Sequence, residues 1–256
     1  MTFHLTNKVA IIAAGAVLGI AVLQDSAQAA TLTQFKFNSV PHDANPATGI
    51  LTPNIGTGTV SLVGGTTGTP PFATAEDGGG SSDPLVGDDS ALNTTTYPAA
   101  TASNKSAGVE FRVSTVGQQN VKVLFDQYFS ATSSKFSQFQ YSLDGATFVD
   151  FGSQVVGAVN AWSDSNTFNL SSIAGANNNA NFAFRIVSAF APNTTGYAGT
   201  GGTYATDGQW RFDMATINAD ATPVPTPALL PGLIGMGVAA LRKRQGDRSE
   251  VMAAQE

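Results

Sequence analysis

The chain has 256 residues, with 12 Lys and Arg against 18 Asp and Glu, a formal net charge of −6. Such an acidic balance lacks the basic patch that nucleic-acid recognition requires, and it repels acidic lipid headgroups. With no cysteine and two histidines, disulfides, thiol catalysis and multi-histidine or cysteine zinc sites are excluded.

The first 30 residues read as an export signal. Lys8 gives a weak positive start, Val9 to Leu23 is apolar, and Ala27-Gln28-Ala29 has the small-x-small pattern of a signal-peptidase site. A membrane-spanning helix would need roughly 20 apolar residues. Cleavage is expected around Ala29 and Ala30, so that the mature chain starts at Ala30 or Thr31. From there to Thr226 the chain carries seven Lys and Arg and fourteen Asp and Glu. That length supports one domain with its own core. The expected division is 1–30 signal peptide, 31–221 secreted domain, and 222–256 spacer and C-terminal signal.

Helical periodicity is nearly absent from this domain. Leu32 to Phe37 is the first expected strand, and Gly58 to Val63 a weaker second. Between them His42 sits among prolines and small polar residues, which reads as a surface loop. Gly64 to Ser106 is rich in Gly, Thr, Ser, Pro and Ala, and reads as a surface excursion with at most one short strand. It contains the densest acidic run, with Glu76, Asp77, Asp83, Asp88 and Asp89. These carboxylates do not follow the EF-hand spacing. They read either as a solvated loop or as a calcium site, since Ca²⁺ takes six to eight flexible oxygen ligands.

From Val109 onward the pattern sharpens. Val109–Ser114, Val121–Phe129, Phe136–Leu143, Thr147–Phe151, Ser165–Leu170, Asn181–Phe190 and Gly208–Ile217 are expected strands, with Asp144-Gly145 as a hairpin turn. Regularly spaced strands without crossover helices imply an all-β fold, an antiparallel two-sheet β-sandwich of jelly-roll type. A period of two places Trp210, Phe212 and Met214 on the core face of the last strand, with Arg211 and Asp213 opposite. Asp213 is expected to form an ion pair with Arg185 or another arginine. Trp162, at a loop-to-strand junction, and Tyr197 and Tyr204, in a Gly- and Thr-rich loop, are the candidate platforms for stacking a sugar. No catalytic residue is assigned, because the single histidine of the domain and the scattered carboxylates match no catalytic motif.

The chain ends in a proline spacer, an apolar run from Ala228 to Leu241, and the basic cluster Arg242, Lys243 and Arg244. The run is too short for a comfortable span and is broken by Pro231. The basic cluster would hold its end on the cytoplasmic side. Pro225-Thr226-Pro227-Ala228, followed by Leu229-Leu230-Pro231-Gly232-Leu233-Ile234-Gly235, resembles the PTPA variant of the PEP-CTERM sorting domains found in cyanobacteria. The resemblance implies processing near this motif by an exosortase, after signal peptidase has acted at the other end, with transient membrane insertion at both ends. A second resemblance rests on Phe111–Thr115, Phe139–Gly145 and Gly208-Gln209-Trp210-Arg211-Phe212-Asp213, which look like secreted bacterial jelly-roll domains. It implies an extracellular non-enzymatic sandwich, some relatives being carbohydrate-binding.

The combined expectation is an exported, non-enzymatic protein of the cell surface or extracellular matrix, with a structural or adhesive role. The alternative is a carbohydrate-binding module with calcium-supported loops, whose partner is an extracellular polysaccharide.

Overall fold

A computed structural model describes residues 29–87 and 89–223. The strands in chain order are β1 Ala30–Phe35, β2 Thr59–Val63, β3 Phe72–Thr74, β4 Ser90–Thr94, β5 Gly108–Arg112 and β6 Gln118–Phe129. They continue as β7 Phe136–Ser142, β8 Val149–Asp150, β9 Val155–Val156, β10 Ala161–Asn169, β11 Ala183–Ala189 and β12 Trp210–Ala221. Two antiparallel sheets result. One has the order β10-β6-β12-β4-β3, with β1 also paired to β12; the other has the order β2-β5-β11-β7-β8, with β9 also paired to β7. From β4 to β7 each successive strand crosses to the other sheet, as in a jelly roll. The expected all-β sandwich is the observed fold. The helices expected at the two ends lie outside the described residues. Among the described residues no helix is long and apolar enough to cross a membrane.

Alternation builds the core. Phe111, Phe125, Phe139, Phe184, Ile186, Trp210 and Phe212 point between the sheets and are fully buried. Phe111, Phe184, Phe139 and Phe168 form a continuous series of stacked rings across the interior, with centroids 4.8, 5.6 and 4.2 Å apart. Trp210 meets Tyr97, Phe129 and Phe212, and its indole Nε1 donates to the Ser134 carbonyl at 3.0 Å. Burying the ring therefore leaves no orphaned donor.

Three expectations are corrected here. The stretch Gly64 to Ser106 is more than an excursion, since it contributes both β3 and β4, and every residue of β4 is buried. Its burial is held by hydrogen bonds rather than apolar alternation: Thr94 Oγ1 donates to the Trp210 carbonyl, and Asn93 Nδ2 donates to that of Pro70. Trp162 is the second residue of β10, which begins at Ala161 and not at the expected Ser165. Met214 leaves the core face, because β12 carries a bulge between Asp213 and Thr216, and Met214 adopts φ 49°. Beyond the bulge Ala215 and Ile217 face inward in its place.

Trp210→Ala should destabilise the domain by about 3–5 kcal/mol, the range for deleting a buried aromatic side chain. Urea midpoints for this variant and for Val159→Ala, at a half-exposed position, check it. A Trp210 shift no larger than the control's would place that ring outside the core.

Candidate functional site: a buried carboxylate cluster

The bulge in β12 marks a change of neighbour. On one edge β12 pairs with β4 at Trp210–Phe212 and with β1 at Ala215–Ala219. Asp213 stands at the seam, where β1 ends and β4 begins. The two strand ends are joined across it: Asn38, just past β1, accepts a hydrogen bond from the Ser90 backbone N–H at 2.8 Å. The loop between β3 and β4 crosses the outer face of this sheet and delivers Asp83 and Asp89 to the same seam. One carboxylate oxygen from each of Asp83, Asp89 and Asp213 lies within 4.8 Å of the other two, and all three residues are buried.

The partners of these groups are few. Asp213 accepts from Ser81 Oγ at 2.6 Å and from the Met214 N–H at 2.7 Å. Asp83 accepts from Lys36 Nζ at 3.1 Å, Asn38 Nδ2 at 3.0 Å and the Leu85 N–H at 3.2 Å. Asp89, only 2% exposed, leaves its Oδ1 with no hydrogen-bond partner. A buried carboxylate oxygen without a donor is costly unless a proton or a cation meets it. Burial pushes the Asp89 carboxyl up to about 7, the charges of Asp83 and Glu76 add to this, and Ser81 and Lys36 offset it only in part. Burial likewise holds the Asp213 carboxyl well above the usual range, against the Ser81 hydrogen bond and with the charge of Asp89 adding to it.

The loop carrying this cluster is fastened by the other acidic residues. Glu76 accepts from the Gly87 N–H at 2.6 Å, closing the loop on itself. Asp77 pairs with Arg211 at 2.6 Å. Gly78, at φ 62°, approaches β10 so closely that a Cβ there would lie 2.3 Å from the Asn160 carbonyl oxygen. Asp126 accepts from the backbone N–H groups of Ser82 and Ser165 at 2.7 and 2.6 Å.

Of the five acidic residues singled out from the sequence, Asp83 and Asp89 converge, whereas Glu76 and Asp77 serve loop closure and Asp88 lies outside the described residues. Asp213 was the missing member. It does not pair with Arg185, whose guanidinium sits 2.6 Å from Glu110 on the other sheet. Arg211 is held by Asp77. The warning in the sequence was an acidic residue on the outer face of the strongest core strand; the loop that covers it there has no clear signature.

The three aromatic candidates do not converge. Tyr197 is buried, stacks on Tyr204 with centroids 4.9 Å apart, and donates its hydroxyl to the Ser103 carbonyl at 2.9 Å. Tyr204 donates to the Pro98 carbonyl at 2.6 Å. Trp162 belongs instead to a row across three strands, Arg211–Tyr128–Trp162, on the outer face of the sheet. The Arg211 guanidinium lies 4.7 Å from the Tyr128 ring centre, and the Trp162 ring 5.7 Å from it. Trp162 Nε1 and Arg211 Nε have no partner. Ala29 and Ala30 are exposed at the start of β1; Ala27, Pro225 to Ala228 and Arg242 to Arg244 lie outside the described residues.

No protein-family model and no curated protein sequence matches the chain. Among solved structures it is similar to the CBM22-1 xylan-binding domain of Paenibacillus barcinonensis Xyn10C, at TM-score 0.39 and 12% identity, over 64% of this chain and 87% of that one. It is also similar to the CBM22-1-CBM22-2 tandem of the same enzyme, at TM-score 0.44 and 12% identity, over 80% of this chain and 49% of that one. The N-terminal cellulose-binding domain of Cellulomonas fimi β-1,4-glucanase C is similar at TM-score 0.28 and 14% identity, over 64% of this chain and 99% of that one.

Without metal, Asp89 and Asp213 bind protons in the folded chain that they release on unfolding. The unfolded state then holds fewer protons, so stability falls as pH rises from about 4 through 7. Asp144, whose carboxyl is lowered by the Thr147 and Ala146 N–H groups, is ionised in both states above about pH 5, so it does not affect the comparison made there. In chelator, the thermal midpoint at pH 7.5 should lie below that at pH 5, and excess calcium should abolish the difference. A midpoint that climbs with pH in chelator would show that the cluster is already compensated.

Proposed function

We propose that this is an exported, non-catalytic β-sandwich of the cell surface or extracellular matrix, with a structural or adhesive role, whose loop from Ala75 to Asp89 is fastened to the sandwich by a divalent cation, calcium foremost. The observation that carries the cation is the trio Asp83, Asp89 and Asp213, buried within 4.8 Å, with Asp89 Oδ1 unpartnered. Oxygens about 2.4 Å from one shared ion stand at most about 4.8 Å apart, so the trio fits around a single Ca²⁺. All-oxygen, anionic donors suit a hard cation and not zinc or copper. Such an ion would join the loop to β12 at the seam and so fix the outer face of the sheet. The same crowding and burial argue against glycoside cleavage, which places its two carboxyl groups roughly 5–9.5 Å apart on either side of a substrate.

Export and sorting rest on the sequence: the Ala27-Gln28-Ala29 site at one end, and at the other the Pro225-Thr226-Pro227-Ala228 motif with its apolar run and basic stop. Signal peptidase and an exosortase are the partners this implies. Polysaccharide binding by the same module is the second reading. It is favoured by Trp162, an aromatic ring that is only partly buried on the outer face of the sheet, beside Tyr128.

Excess calcium should raise the thermal midpoint relative to chelator. An ion bound only to the folded form contributes about 2.7 kcal/mol at a hundred times its dissociation constant. Asp89→Asn and Asp213→Asn should each remove most of that shift, and Glu76→Gln should keep it. A shift that survives in the Asp83→Asn, Asp89→Asn, Asp213→Asn triple variant would move the ion elsewhere; no shift in the wild type would remove it from the account.

Mass spectrometry of the surface and secreted pools from the native host checks the sorting claim. The dominant species should begin near Ala30 and end near the proline motif. A full-length cytoplasmic chain as the dominant form would overturn export.

A further inference from the structure

We infer that Lys36 is the resident counter-cation of the Asp83–Asp89–Asp213 centre, and that it competes with the metal and sets how tightly the metal is held. This rests on the cation reading above and adds to it a residue that opposes binding.

The position of Lys36 follows from the fold. β1 ends at Phe35, which faces the core and pairs with Ala215 just beyond the bulge. The next side chain along the chain turns to the outer face, at the seam where the three carboxylates meet. Its Nζ lies 3.1 Å from Asp83 Oδ1. The neighbouring cation of this face is committed: Arg211, two residues before Asp213, is held by Asp77 and by the Thr74 carbonyl, and Lys122 stands four residues along β6 from Asp126, the residue opposite Asp213. Arg112 and Arg185 serve Glu110 on the opposite sheet. Lys36 is thus the ammonium that meets the centre, and its charge reaches Asp89 as well as Asp83.

The pair is lopsided. The Asp83 side chain is 0% exposed and is also held by Asn38 Nδ2 and the Leu85 N–H. The Lys36 side chain is 29% exposed. Its stem lines an open pocket of about 200 Å³ formed with Phe37, Asn38, Val40, Ile50 and Leu85. Asp83 therefore keeps its place without Lys36, whereas the ammonium has room to withdraw on its flexible stem. A dication entering among the carboxylates meets an ammonium already beside one of its ligand oxygens, and like charges at this range repel even in a well-screened site. A monovalent ion offers the carboxylates no more charge than the ammonium does, so the arrangement selects a dication. Calcium sites tune their affinity through the count of ligand charge; here one lysine lowers that count.

The test is isothermal titration of the full chain with CaCl₂, for wild type, Lys36→Gln and Lys36→Arg. Each protein is folded with calcium, stripped with chelator and dialysed, and its metal-free form is checked by circular dichroism to be folded before titration. Lys36→Gln should bind calcium roughly tenfold more tightly, equivalent to about 1.4 kcal/mol. Lys36→Arg, which keeps the charge, should stay within about threefold of wild type. In chelator Lys36→Gln should melt below wild type, because its carboxylates have lost their counter-charge; in saturating calcium the two should melt together. Equal or weaker binding by Lys36→Gln, with wild type binding normally, would overturn the competitor role and make Lys36 a support for Asp83. Absence of calcium binding by the wild type would overturn the cation reading itself, and this inference with it.

Discussion

A central strand that changes neighbour half-way along its length sets the conditions for everything around it. β12 is bordered on one edge by β4 and then by β1, and no strand of the described residues covers the point between them. A ladder cannot pass such a point unaltered, and the chain meets it with a bulge at Asp213 and a positive φ at Met214. The seam leaves Asp213, on the outer face just before the bulge, in reach of the loop above. It also brings three sequence-distant segments to one place: the end of β1 with Lys36 and Asn38, the approach to β4 with Asp83 and Asp89, and Asp213 itself.

What gathers there is negative charge in a place with little water. Three buried carboxylates meet there, and Lys36 pairs with Asp83 alone among them. Ordinary packing cannot resolve this, because the loop from Ala75 to Asp89 brings little apolar side chain with it, and Val86 near its end is 84% exposed. The loop is held by hydrogen bonds and charge, and its carboxylates divide into two kinds. Glu76 and Asp77 take partners that shape the loop and are satisfied by them. Asp83 and Asp89 are turned inward, where the balance is left open for a cation.

The sandwich was legible wherever burial is apolar and alternating. β5, β6, β7, β11 and β12 appear in the sequence as runs with one aromatic face, and Trp210 and Phe212 occupy the core as that pattern requires. It was illegible where burial is polar. Asn93 and Thr94 of β4 are as buried as any phenylalanine, but their side chains are held by hydrogen bonds that no periodicity announces. The site was half legible for the same reason. An acidic run in a glycine-rich loop is visible, but which of its members converge depends on a seam more than a hundred residues away. The bulge there also moved Met214 off the core face, while Arg185, expected to hold Asp213, pairs with Glu110 on the other sheet. The two sorting segments carry the clearest motifs in the chain and lie outside the described residues, so export stands on sequence and the cation centre on geometry.

The most direct measurement is anomalous diffraction from crystals of the full chain grown with terbium, a calcium-sized ion with strong anomalous scattering. The account predicts one dominant peak at the seam of β1, β4 and β12, about 2.3–2.6 Å from oxygens of Asp83, Asp89 and Asp213 together, with the Lys36 ammonium drawn away from Asp83. A peak confined to Glu76 and Asp77, or an empty centre in which Lys36 still bridges to Asp83, would contradict it.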